Sequence, residues 1–138
     1  MSLFSKRKDL GVRSFVLKLI NTNCPELRAM MEGPRLDSRI NMTVAVLVVP
    51  IEDQRLQVAQ AFTAVTREFS NSGVGVVLNR PQGPERAILG FRLEGAMTFL
   101  RAETKHLDPM GGGFYHLGLH MTEIVTPVDY PELESVSL

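Results

Sequence analysis

Apolar residues recur along this chain at two different periods. Val12, Phe15, Val16, Leu19 and Ile20 share one helical face while Arg13, Ser14 and Lys18 take the others, which predicts an amphipathic helix over residues 9–21. Residues 21–24 interrupt it. Pro25 suits the first turn of a second short helix carrying Leu27, Met30 and Met31, and Gly33 followed by Pro34 would end that helix. Apolar helix faces are usually core, so the stripe is expected to dock on the chain's own domain; a partner or homodimer contact is the alternative.

From Ile40 the period becomes two. Met42, Val44, Val46 and Val48 alternate with Thr43, Ala45, Leu47 and Val49 in a β-rich run closed by Pro50, which reads as a strand. Residues 56–69 are ambiguous, because Val58, Ala61, Phe62, Val65 and Phe69 also make a helical stripe. Thr63, Val65 and Thr66 favour a strand, as does the turn Ser70-Asn71-Ser72-Gly73 ahead of the apolar run 74–78. After a Pro- and Gly-rich turn at 80–85, residues 87–93, 97–106 and 114–125 read as three more strands, punctuated by Gly95 and by Gly111-Gly112-Gly113. Short turns between strands, with no helices long enough for parallel crossovers, imply an antiparallel sheet or barrel. Asp129-Tyr130-Pro131-Glu132 can start a brief C-terminal helix.

Composition narrows the function classes. The chain has 138 residues and 44% hydrophobic content, enough for one domain with its own core. Residues 1–33 are read as a helical N-terminal extension and 34–138 as the barrel domain. Fifteen basic residues balance fifteen acidic ones, so nothing in the overall charge argues for DNA or RNA binding. Cys24 is the one cysteine, which excludes an internal disulfide and fits a reducing compartment. Arg13 and Lys18 break the apolar stretch that follows the basic N-terminus, so neither a signal peptide nor a membrane span is expected and the cytoplasm is the default location.

Two short patterns flank the first two strands. Arg35-Leu36-Asp37-Ser38-Arg39 precedes the first strand and resembles the RxxxR motif of the PilZ family; Glu68-Phe69-Ser70-Asn71-Ser72-Gly73 resembles that family's (D/N)xSxxG motif. Their order and spacing match. The run Val74-Gly75-Val76-Val77-Leu78 is similar to the family's apolar third strand, and Gly113-Phe114-Tyr115-His116-Leu117-Gly118-Leu119 to its closing strand. A register using Ser70, Ser72 and Gly75 would put Asn71 at a position the family fills with an aliphatic residue, and Phe69 fits that position better. The resemblance implies a six-stranded antiparallel PilZ-type β-barrel that binds the bacterial second messenger cyclic di-GMP, relays it to a protein partner, and needs no cofactor. It implies a ligand site made of Arg35, Arg39, Glu68, Ser70 and Gly73.

The residue types suit that ligand. Arginine forks pair in-plane with phosphate oxygens or with guanine O6 and N7, and in an extended segment a spacing of four sets Arg35 and Arg39 about 13 Å apart. A carboxylate at 68 can accept from guanine N1 and N2, Ser70 can donate to phosphate, and Gly73 allows a backbone path that a side chain would obstruct. Glu68 departs from the family's Asp or Asn by one methylene. A donor left unpaired by that change costs about 1–3 kcal/mol, so an adaptor that has lost nucleotide binding is the second reading.

Other residues are given no catalytic or metal role. His116 and His120, four apart on one strand, are separated by about 13 Å, too far to share an ion, and are read as barrel surface. Glu52, Asp53, Glu132 and Glu134 lie in turns or the tail without an acid–base partner, so no enzyme is expected. The methionines are read as core filler.

Overall fold

The computed structural model describes residues 3–23 and 39–138. Helix α1 (Leu3–Asn23) is followed by β1 (Ile40–Asn41), β2 (Ala45–Glu52), β3 (Arg55–Leu56), β4 (Phe62–Phe69), β5 (Gly73–Leu78), β6 (Arg86–Leu93), β7 (Ala96–Gly111) and β8 (Phe114–Val125). Single turns of 3-10 helix occupy Val58–Gln60 and Pro131–Ser135. The predicted second helix with Leu27, Met30 and Met31, and the residues Pro34 and Arg35, lie outside the described residues.

All pairings are antiparallel and run β4-β5-β8-β7-β6-β2, and β2 pairs back with β4 to close a six-stranded barrel. β1 and β3 are two-residue stubs attached to β4 and β2. The expected fold class therefore holds: a mainly β, six-stranded antiparallel barrel with a helix before it and a short helical turn after it. Closure pairs each barrel strand on both sides, while residues 105–111 of β7 extend past β6 and pair with β8 alone.

Alternation builds the interior. Val46 and Val48 of β2, Val74 and Val76 of β5, Leu89 and Phe91 of β6, Leu100 and Ala102 of β7 and Leu117, Leu119 and Met121 of β8 form one buried cluster. The α1 stripe completes it: Val12, Phe15, Val16, Leu19 and Ile20 are all buried there. Phe15 stands 5.7 Å from Phe91, which in turn stands 5.9 Å from Phe69. The stripe thus serves the chain's own core. The helix is longer at both ends than residues 9–21, and Asn23 Nδ2 donates to the Leu19 carbonyl at 2.8 Å in its last turn. No helix among the described residues is long and apolar enough to cross a membrane.

A second cluster lies outside the barrel wall. Leu47 and Val49 of β2, Ile88 of β6, Phe99 of β7 and Val125 of β8 point away from the interior and are covered by Leu133, with Tyr130, Val136 and Leu138 packed around it. The C-terminal turn therefore has a packing role. Burial on both faces of β2 explains its continuous apolar run.

The first predicted strand is split, and it does not stop at Pro50. Ile40–Asn41 pairs with β4, residues 42–44 lose the regular pairing but keep the bonds from Met42 N to the Arg67 carbonyl and from Thr66 N to the Val44 carbonyl, and β2 continues through Pro50 to Glu52. Buried Thr66 explains the gap, because its hydroxyl accepts from Val44 N at 2.9 Å and donates to the Met42 carbonyl at 2.8 Å. The helical stripe in residues 56–69 resolves as the 3-10 turn followed by strand β4, whose ladder with β2 and β5 outweighs local helix propensity.

Candidate functional site

Two β-bulges set the outer face of the barrel. On β4, Thr66 pairs with Val76 but Glu68 pairs with Gly75, so Arg67 is an extra residue. Strict alternation would send Glu68 inward with Thr66. The bulge turns Glu68 outward and places Phe69 in the core, fully buried opposite Val74. On β7, Thr104 pairs with Leu119 but His106 pairs with Gly118, so Lys105 is the extra residue and His106 faces outward.

Between these two bulged strands lies a floor without side chains. Gly75 of β5 and Gly118 of β8 are direct cross-strand partners. A Cβ on Gly75 would collide with the Glu68 carboxylate and with His116 Nε2, and one on Gly118 would collide with the His106 ring. Glycine is therefore required at both positions for close approach by neighbouring side chains.

The groove above this floor has a volume of about 290 Å³ and is walled by Arg39, Glu68, Ser70, Lys105, His106 and His116, with Ser72, Gly73 and His120 at one end. Glu68 Oε1 accepts from His116 Nε2 at 2.7 Å and stands 3.9 Å from Arg39 Nη1. Glu68 is nine-tenths buried, and its Oε2 is buried without a hydrogen-bond partner among the described residues. The His116 ring stacks on His106 with centroids 5.2 Å apart, and His106 Nδ1 lies 2.8 Å from Asp108 Oδ2. At the far end Ser72 Oγ and His120 Nδ1 are 3.2 Å apart.

The turn that leads into β5 is self-supporting. Ser70 N donates to the Gly73 carbonyl at 3.0 Å, and Ser70 Oγ accepts from Gly73 N at 3.2 Å. That leaves the Ser70 hydroxyl proton to be donated outward. Gly73 has no left-handed φ; it is needed because a Cβ there would stand 2.7 Å from Ser70 Oγ.

The barrel, the helix and the site can now be set beside known proteins. This chain folds like a bacterial inhibitor of motility. The solved structure is that of Bacillus subtilis MotI/DgrA, matched with a TM-score of 0.50 and 16% identity over 70% of this chain and 46% of that one. The chain thus spans about half the length of that structure, and the likeness is one of fold. No family model matches the chain, and no curated protein matches it.

Of the residues singled out from sequence, Arg39, Glu68, Ser70 and Gly73 meet at one groove, and Arg35 lies outside the described residues. His116, read from sequence as barrel surface, instead has a side chain only 11% exposed and bonds to Glu68. Lys105 and His106 were missed. Their approach to β4 and β8 depends on the Lys105 bulge, for which the sequence carries no spacing signal.

Proposed function

We propose that this chain is a PilZ-type receptor that binds cyclic di-GMP in the groove beside Gly75 and Gly118 and passes the signal to a protein partner. One observation carries the reading. Glu68 presents a buried carboxylate oxygen with no partner among the described residues, over the backbone of Gly75, with Arg39, Lys105 and the Ser70 hydroxyl lining the same groove. A buried acceptor without a donor is costly, and the N1 and N2 donors of a guanine would satisfy it. The glycines let Glu68, His116 and His106 lie close to the sheet beside the groove, while Arg39 and Lys105 supply cations for phosphate. Arg35, four residues before Arg39, is assigned to the same ligand through the RxxxR pattern.

A second reading has its own support. Glu68 Oε1 is already bonded to His116, which fits an adaptor whose groove has turned inward on itself and works through protein contacts alone. Calorimetric titration of the whole chain with cyclic di-GMP separates the two. Saturable binding at micromolar concentration or tighter, weakened at least tenfold in Arg35→Ala and in Arg39→Ala and absent with GTP, is the expected result. Absence of binding by the folded protein rejects the receptor reading and leaves the adaptor.

A further inference from the structure

We propose that His106, Asp108 and His116 form a binding site for one divalent transition-metal ion of the zinc class on the outer face of the barrel. The site shares a wall with the nucleotide groove, through His106, His116 and the Glu68 carboxylate behind His116, but it is tested without nucleotide, so its failure is distinguishable from failure of the nucleotide reading.

One ring nitrogen from each imidazole and one carboxylate oxygen of Asp108 lie within 4.8 Å of one another. The donors come from two hydrogen-bonded strands, and Asp108 and His116 are direct cross-strand partners. Spacing along a single strand hides such a group. It becomes visible only when β7 is laid against β8 and the extra residue Lys105 is counted. The bulge turns the third donor, His106, to the same face, and Gly118 leaves room beneath its ring.

The rings already stand at the separation an ion requires. Two imidazoles bound to one tetrahedral ion through nitrogens at about 2.0–2.1 Å have centroids about 5 Å apart, and His106 and His116 are 5.2 Å apart. Closure onto an ion then needs rotation of side chains, with the strands in place. Asp108 and His106 are partly exposed, with side chains 65% and 42% accessible, so an ion can enter from solvent.

The surrounding groups prepare the donors. Glu68 Oε1 accepts from His116 Nε2, which leaves Nδ1 as the nitrogen of that ring offered to an ion. A carboxylate behind a ligating imidazole fixes ring orientation and raises its basicity. Without an ion, His106 Nδ1–H donates to Asp108 Oδ2 at 2.8 Å. A cation takes the place of that proton between the two groups, and the proton moves to Nε2 of the same ring or leaves to solvent. Two imidazoles and one carboxylate suit Zn²⁺, Co²⁺, Ni²⁺ or Cu²⁺ rather than Ca²⁺ or Mg²⁺, and three protein donors leave a fourth position for water.

The test is titration of the tag-free, chelator-treated full chain with ZnCl₂, followed by calorimetry, with Co²⁺ absorption as a report of tetrahedral coordination. One equivalent should bind with micromolar or tighter affinity, MgCl₂ should not compete, and His106→Gln, Asp108→Asn and His116→Gln should each weaken binding at least tenfold. Cys24→Ser should leave it unchanged. Near-UV circular dichroism confirms that each variant is folded, and exposed Asp108 makes Asp108→Asn the variant least able to disturb packing. No saturable one-to-one binding, binding that persists in both Asp108→Asn and His106→Gln, or binding lost in Cys24→Ser would each overturn the proposal.

Discussion

The two sides of the barrel wall differ in what lies beyond them. Where β2 meets β6, both faces are apolar: Val46, Val48 and Leu89 point inward, while Leu47, Val49 and Ile88 point outward under the C-terminal turn. Where β5 meets β8 the inner face is equally apolar, with Val74, Val76, Leu117 and Leu119, but the outer face carries Gly73, Gly75, His116, Gly118 and His120. One wall is covered by the chain's own tail and the other is left open by the described residues. Because side chains alternate across a strand, the apolar interior and the outward groove of the β5–β8 wall are built from different residues of the same strands. The difference locates the site: the open wall is where glycines replace the outward apolar residues.

This contrast predicts how substitutions separate. Leu117→Ala, on the inner face of the open wall, should have the largest effect, lowering unfolding free energy by about 2–5 kcal/mol in a denaturant titration. A smaller loss would mean that the interior can collapse around the cavity and that the two faces are less independent than their burial implies.

Thr66→Val keeps shape but removes the hydroxyl that joins Val44 N to the Met42 carbonyl. It should cost about 1–3 kcal/mol by the same measurement, through the unpaired backbone groups it leaves. An unchanged midpoint would show that residues 42–44 find other partners.

Gly75→Ala should cost about 1–2 kcal/mol, since the added Cβ meets the largely buried, hydrogen-bonded pair of Glu68 and His116. It should displace that pair and lower cyclic di-GMP affinity at least tenfold. Large destabilisation without any change in binding would reverse the assignment of the two faces.

Much of this architecture was legible in the residues. The β-branched runs gave most of the strands, the stripe from Val12 to Ile20 gave the helix, and Phe69 in place of a polar residue fixed the register of the motif around Glu68. The split at residues 42–44 was not legible, because it depends on one threonine hydroxyl from another strand. Nor was the histidine cluster. Comparing His116 with His120 applied the right geometric test to the wrong pair, since the neighbour of His116 is His106 on the adjacent strand. Pairing across a ladder that contains bulges cannot be counted along one strand.

The bulge at Arg67 also bears on which changes of chain length the protein can accept. Deleting that single residue would leave Thr66 and Phe69 facing inward and Glu68 facing outward, in an unbulged ladder opposite Val76, Val74 and Gly75, and the Gly111-Gly112-Gly113 turn has open space around it and positive φ values that a longer loop can replace. A one-residue deletion at position 67 should therefore keep the facing of Glu68 and Phe69, whereas a one-residue deletion within 68–69 would reverse it, and changes of length at the β7–β8 hairpin tip should leave both untouched.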